Sequence, residues 1–125
     1  MSIKGLKFST EKTAIKLDKV QARRSRLIAN LQKQKSLIEQ EEAGEHPKGR
    51  WYWKSDDAYY LPVKFGKHPL EIIKGHFTIE CEDFQGLKNA IGKTIEAVEE
   101  GYFDKNMEAA SDAIRKRFHK SKSTN

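Results

Sequence analysis

Two stretches of the chain carry apolar residues at the spacing of an amphipathic α-helix. In the first stretch Asp18 is a suitable N-cap and Gly44 a suitable stop, so we predict a helix over residues 18–44. The residues before it, 1–17, are polar and basic, and we predict a flexible basic arm there. The apolar positions of this helix recur at intervals of seven, four and seven and share one face: Val20, Leu27, Leu31 and Ile38.

The second helical stretch begins after Glu82 and Asp83, whose charges suit a helix N-terminus, and it ends at Gly101. Beside the apolar stripe of this second helix, small residues form a line that would let another backbone approach closely. A shorter helix is predicted over residues 104–118, followed by a basic tail. The apolar stripe of the second helix is Phe84, Leu87, Ile91, Ile95 and Val98.

Between the two helices, apolar and aromatic residues alternate with polar ones, which is the period of β-strands. Turn-forming residues separate the alternating runs, and Lys74-Gly75 is typical of a tight hairpin. Pro62 lies inside the second run, so we expect that strand to be at a sheet edge or bulged there. The predicted strands span residues 49–54, 58–65, 69–73 and 76–81.

This order of elements predicts an α+β fold with a four-stranded antiparallel sheet. We divide the chain into the basic arm, the helix of 18–44, a four-strand-plus-helix domain over 49–101, and a short helix with a basic tail over 102–125. One helix can cover only one face of the sheet, so the other face is expected to stay open unless a second chain covers it.

Charge is distributed unevenly over the 125 residues, whose net charge is +6. Residues 1–30 hold eight Lys and Arg against two acids, residues 78–109 three against eight, and residues 110–125 five against one. Basic ends indicate either a polyanionic partner or solvated tails. The sequence contains no apolar run of about 18 residues, which a membrane span needs, and no apolar stretch of the kind found in a secretory leader. The single cysteine fits a reducing compartment, so we expect a cytoplasmic protein.

Catalytic and metal-binding patterns do not stand out in the sequence. The four histidines are scattered, and His68 and His76 merely flank one predicted hairpin. Cys81 is in phase with Phe77 and Ile79 and is expected to face the core. We therefore predict a protein that is not an enzyme and needs no metal or cofactor.

The sequence Arg50-Trp51-Tyr52-Trp53-Lys54 places both tryptophans on one face of a strand and the other three residues on the opposite face. We expect the tryptophans to face the core, although a bulge would reverse the two faces. Cations and tyrosine rings on an exposed face would suit single-stranded nucleic acid, and an ordinary solvated sheet face is the alternative. The predicted contact residues of the sheet are Arg50, Tyr52, Lys54, Tyr60, Lys64, Lys67, Lys74 and His76.

The order of these elements over residues 50–101 resembles the single-stranded-DNA-binding domain of transcriptional positive cofactor four and its bacterial and phage relatives. The resemblance rests on the basic-aromatic first strand, on Val63-Lys64-Phe65, on Lys74-Gly75 and on the acid-capped helix that follows. It implies four antiparallel strands, one helix, and a homodimer that pairs its helices, for which the small residues Gly86, Ala90 and Ala97 are the expected interface. The whole chain also resembles small phage and prophage proteins that open with Lys-Gly-Leu-Lys-Phe and contain Lys67-His68-Pro69-Leu70-Glu71.

These observations predict a phage-encoded protein that binds single-stranded DNA, with RNA as an alternative, in replication, recombination or transcription in the host cytoplasm. Five cations at the start of the chain would add electrostatic affinity: Lys4, Lys7, Arg23, Arg24 and Arg26. The competing interpretation is a protein-interaction module that inhibits or adapts a host complex.

Overall fold

The computed structural model describes the backbone of residues 11–123 and the side chains of residues 19–115. Within this part the protein is an α+β fold of three helices and five short strands. The elements, in chain order, are α1 (Glu11–Glu42), β1 (Trp53–Ser55), β2 (Ala58–Pro62), β3 (Lys64–Phe65), β4 (His68–Pro69), β5 (Thr78–Cys81), α2 (Phe84–Glu99) and α3 (Asp104–Ser123). None of the described helices is long and apolar enough to cross a lipid bilayer.

The strands form two antiparallel sheets instead of the single four-stranded sheet that the sequence predicted. β2 lies between β1 and β5 in the larger sheet, and β3 and β4 form a separate hairpin. Pro62 causes the difference, because a residue without an N–H ends the sheet ladder, and the predicted strand of 58–65 is divided there into β2 and β3. Because β2 lies between β1 and β5, the first of the two alternatives for this strand, an edge position, is wrong.

The first strand is shorter than predicted because a buried glutamine binds the chain before it. Gln34 of α1 donates from Nε2 to the carbonyl oxygen of Gly49, 3.0 Å away, and its Oε1 accepts from the backbone N–H of Trp51 at 2.8 Å. The Gln34 side chain is 3% exposed, so both hydrogen bonds are shielded from water. Residues before Trp53 are therefore joined to α1, and β1 begins only at Trp53.

One hydrophobic core joins both helices to the sheet. The apolar faces predicted for the two helices are confirmed, since Leu27, Leu31 and Ile38 of α1 and Leu87, Ile91 and Val98 of α2 are 0% exposed. They belong to one cluster with Leu61 of β2 and Cys81 of β5. The helices therefore cover one face of the larger sheet, and α1 is an integral part of the fold.

The boundaries of the helices agree with the sequence at four ends, including the start of α3 at Asp104, and differ at two. Asp83 caps α2 by accepting from the backbone N–H of Gly86 at 2.8 Å, as its position predicted. Gly44 and Gly101, the predicted stops, both have positive φ angles. In contrast, α1 begins at Glu11 instead of Asp18, and α3 extends to Ser123, beyond the expected end at residue 118.

A close approach fixes the corner where α2 leads into α3. Arg24 of α1 donates to both carboxylate oxygens of Asp104, at 3.0 and 2.6 Å. Gly101 lies beside this pair with a φ of +89°, and a Cβ atom there would be 2.8 Å from Nη2 of Arg24. The positive φ favours glycine at this position, and a larger residue would also have to displace the Arg24 guanidinium.

Candidate nucleic-acid interface

The face of the larger sheet that the helices leave uncovered carries an aromatic pair. Trp53 of β1 is opposite Tyr60 of β2, which is opposite Glu80 of β5, so these three residues form one row across the sheet. Side chains on one face repeat every second residue, so Ser55, Ala58 and Thr78 share this face. We call the surface formed by Trp53, Ser55, Ala58, Tyr60, Thr78 and Glu80 the open face.

The rings of Trp53 and Tyr60 stack on the open face. Their centroids are 5.9 Å apart and their planes are inclined by 28°. Trp53 is 48% exposed, whereas Tyr60 is half-buried, so the indole lies over the phenol and offers its other side to solvent. A base could stack on that free side, and such stacking is worth about 1–3 kcal/mol per base in single-strand-binding proteins.

The predictions that Tyr52 is exposed and that Trp53 faces the core are wrong, whereas Trp51 packs against the core as expected. Tyr52 is 5% exposed, and its hydroxyl donates to Oε1 of Glu41 at 2.8 Å. β1 has the reversed orientation, in which Trp53 is on the exposed face and Tyr52 is on the core face. Trp51, before the strand begins, is partly buried against the core. The hydrogen bonds of Gln34 to Gly49 and Trp51 set the phase, because they fix the chain before β1 begins.

Glu41 gathers Tyr52 and Arg50 at the edge of β1. Its Oε1 also accepts from Nη1 of Arg50 at 2.7 Å. Partial burial pushes the pKa of Glu41 upwards, but the hydrogen bonds from Arg50 and Tyr52 and the charge of Arg50 outweigh it, so the pKa is lowered from its ordinary value. Burial and the Glu41 carboxylate raise the pKa of Tyr52, which stays a neutral donor at physiological pH. The guanidinium of Arg50 is therefore partly neutralised, and Tyr52 is a structural residue.

We expect this network to make stability depend on pH. Since the native pKa of Glu41 lies below its ordinary value of 4.5, its contribution is complete above that value and is lost as the pH falls through the native pKa. Glu41→Gln should lower the free energy of unfolding by about 1–2 kcal/mol at neutral pH and by less in acid. Urea unfolding of parent and variant between about pH 7 and about pH 3 measures this convergence.

Glu39→Gln, at an exposed position of the same helix, is the control. A constant difference between Glu41→Gln and parent across this range would contradict the assignment.

A depression of about 520 Å³ adjoins Trp53 at the edge of β1. It is lined by Lys48, Arg50, Trp53 and Lys54, together with the Glu41–Tyr52 pair. We call it the edge depression. Lys54 faces away from the open face, opposite Tyr59, with its Nζ 5.8 Å from the Tyr59 ring centroid. Two of the predicted contact residues, Arg50 and Lys54, thus line the same depression as Trp53.

The other predicted sheet cations lie on separate turns. Lys64 and Lys67 belong to the β3–β4 hairpin, and Lys67 is exposed. Lys74 and His76 are exposed in a second turn, where Ile73 and His76 form an isolated bridge. The prediction that one sheet surface collects all these residues is therefore wrong, because after the break at Pro62 the strands β3 and β4 form a separate hairpin, and only β5 returns to the larger sheet.

The predicted arginines of α1 have two different environments. Arg24 is bound to Asp104, which neutralises its charge. Arg23 and Arg26 line a cleft between α1 and α3 together with Lys19, Phe65, Ser111, Ile114 and Arg115. We call this the basic cleft. Sequence reasoning missed Lys19 and Arg115, although the spacing of Lys19, Arg23 and Arg26 places all three on one helix face. Lys4 and Lys7 lie outside the described residues.

The small residues predicted as a dimer interface line an apolar groove of about 600 Å³. Gly86, Ala90 and Ala97 form its α2 side, and Ile72 and Ile79 lie across from them. We call this the α2 groove. The prediction that Phe77 faces the core is wrong, since it is 46% exposed, but Cys81 is buried as expected, and burial raises the pKa of its thiol.

Comparisons of this chain with protein-family models, with curated proteins and with solved structures found no match. In the part of the chain that the structure describes, no three histidine, cysteine, aspartate or glutamate side chains come together in a way that could hold a metal ion.

Proposed function

We propose that this protein binds single-stranded nucleic acid through the open face and the edge depression. The observation that carries the proposal is the exposed indole of Trp53 on the edge strand β1, stacked on Tyr60 of the central strand β2. Bases stack on such rings with little regard to sequence, while neighbouring cations neutralise phosphates. Single-stranded DNA is the proposed ligand, and RNA is the alternative.

Charge along the Trp53 row favours one path for the strand. Glu80 ends the row on the β5 side and would repel phosphates, whereas Lys48 and Lys54 lie on the β1 side. A strand that stacks a base on Trp53 is therefore expected to leave through the edge depression. The net charge of +6 supports binding of a polyanion in general.

The resemblance of residues 50–101 to the domain of transcriptional positive cofactor four supports the same function. Antiparallel strands followed by an amphipathic helix agree with it, while the division of the sheet into three and two strands departs from it. A phage-encoded protein acting in replication, recombination or transcription remains our proposal for the biological setting. We also propose that a second copy of the chain covers the α2 groove through Gly86, Ala90 and Ala97.

A protein-interaction module is the second candidate, and the α2 groove is the observation that favours it. The groove is lined mainly by apolar side chains, and Ile73 at its rim is 64% exposed. Exposed apolar patches of this kind mark sites of protein association. Capture of a host protein that persists after nuclease treatment and is lost on Ala90→Glu, at the centre of the groove wall, would favour this function.

Titration with a single-stranded oligonucleotide tests the main proposal. We expect binding at low salt that weakens linearly on a logarithmic salt scale, with a slope of about −0.7 for each phosphate neutralised. A duplex of the same length should bind more weakly, because its bases cannot reach Trp53. Light scattering during size-exclusion chromatography, with and without the oligonucleotide, reports the proposed dimer. Absence of binding at low salt, or equal affinity for the duplex, would refute the single-strand proposal.

A further inference from the structure

The basic cleft brings four cations from two helices around one small space. Lys19, Arg23 and Arg26 follow one another at intervals of four and three residues on α1, so they share a face. Arg115 enters from α3, and the cleft volume is about 270 Å³. None of the residues that line it is acidic.

Packing holds the cleft in place on the side of the β3–β4 hairpin. The ring of Phe65 is buried, and Cζ of Arg26 lies 5.0 Å from its centroid. A Cβ atom at Gly66 would be 3.9 Å from Nη2 of Arg26 and 4.0 Å from Cδ1 of Ile114, so the hairpin contacts both helices. The guanidinium of Arg26 is thus positioned by an aromatic face, which leaves its N–H groups available.

The side chains of residues 19–115 balance the charge of the cleft only in part. Arg115 forms an ion pair with Asp112, one turn earlier on α3. Among the side chains of residues 19–115, no acid forms a salt bridge with Lys19, Arg23 or Arg26. The positive charges around the cleft repel one another, and a bound anion would relieve this repulsion.

We propose that the basic cleft is a binding site for a phosphoryl group. Arginine donates two parallel N–H bonds to phosphate oxygens, and lysine adds a point charge, so Arg23, Arg26 and Lys19 match the tetrahedral anion in both charge and geometry. Ser111 supplies a hydroxyl donor at the same wall. The phosphoryl group is either the terminal phosphate of a strand or an internal phosphodiester. The identification of the ligand as a nucleic-acid phosphate rests on the proposed function. Inorganic pyrophosphate tests the cleft independently of that function.

Calorimetric titration of the full chain with pyrophosphate at low ionic strength is the first experiment. The cleft variant is Lys19→Gln with Arg23→Gln, which leaves the packed Arg26 intact. The matched control is Lys33→Gln with Lys35→Gln, at exposed positions of the same helix and with the same change in net charge. We expect the cleft variant to bind pyrophosphate about tenfold or more weakly than parent, and the control to stay within about twofold. Equal weakening in the two variants, or no binding by parent, would overturn the site.

Oligonucleotides with and without a 5′-phosphate separate the two sources of the phosphoryl group. A parent preference for the phosphorylated strand that the cleft variant removes assigns a terminal phosphate. Equal binding of both strands, with a salt slope that the cleft variant reduces by about one to two charges, assigns internal phosphodiesters. Pyrophosphate binding without binding of either strand would refute the proposed function and leave the cleft standing.

Discussion

Replacing Leu31 with alanine should lower the free energy of unfolding by about 2–5 kcal/mol, the usual cost of a cavity in a packed core. Leu31 is 0% exposed and belongs to the cluster in which α1, α2 and the sheet meet. Small domains are stable by only about 5–15 kcal/mol, so this one change should remove a large share of the total. Urea denaturation followed by far-ultraviolet circular dichroism measures the loss through the unfolding midpoint.

The control for Leu31→Ala is Lys33→Ala, at an exposed position of the same helix. Both substitutions introduce the best helix former, so helix propensity cannot explain a difference between them. The control should change stability by about 0.5 kcal/mol or less. A similar small effect for Leu31→Ala would mean that α1 does not share the core with α2 in solution.

Replacing Trp53 with alanine should weaken binding of a single-stranded oligonucleotide by about tenfold to a hundredfold, as expected for the loss of about 1–3 kcal/mol of stacking. Trp53 is half exposed and stacks on Tyr60 outside the buried core, so the fold should tolerate the change. Fluorescence anisotropy of a labelled oligonucleotide measures the affinity, and a thermal melt confirms that the variant is folded.

Two control variants sharpen the test of Trp53. Phe77→Ala removes an aromatic side chain of similar exposure outside the strands and should leave the affinity within about twofold of parent. Tyr52→Phe removes only the hydroxyl that binds Glu41, so it should cost about 1 kcal/mol of stability without a change in affinity. If Phe77→Ala weakened binding as much as Trp53→Ala, the stacking role of the open face would be refuted.

The helices of this protein could be predicted because their signals are local. The apolar faces containing Leu31 and Ile91 repeat at helical spacing, and both residues are completely buried. Gly101 and the cap at Asp83 also act within a turn of the helix that they bound. Each of these features depends only on residues that are close in sequence, so each could be predicted from the sequence alone.

The faces of the sheet could not be predicted because contacts distant in sequence decide them. Alternation correctly separates Tyr52 from Trp53, but it does not say which side is the core. Gln34 makes that choice from α1, and although helical spacing places it on the face of Leu31 and Ile38, the sequence does not show which backbone groups it binds. Pro62 was identified as an irregular position, yet its effect was to end a central strand.

The basic cleft could be predicted only in part for the same reason. The face shared by Lys19, Arg23 and Arg26 follows from helical spacing. The fourth cation, Arg115, comes from the far end of the described side chains and meets them only because α3 packs against α1. A list of basic residues in sequence order therefore separates groups that the fold brings together.

The packing of α1 against α2 and α3 determines when the contacts of α1 can form during synthesis on the ribosome. Glu42 meets Lys88, 46 residues later, and Arg24 meets Asp104, 80 residues later. At about 5–20 residues per second, the nascent α1 has to wait roughly 4–16 s before the partner of Arg24 is made. Until residues 84–99 are made, Leu27, Leu31 and Ile38 have no partner from α2 to cover them, so the nascent chain presents an apolar helix face to chaperones until its second half emerges.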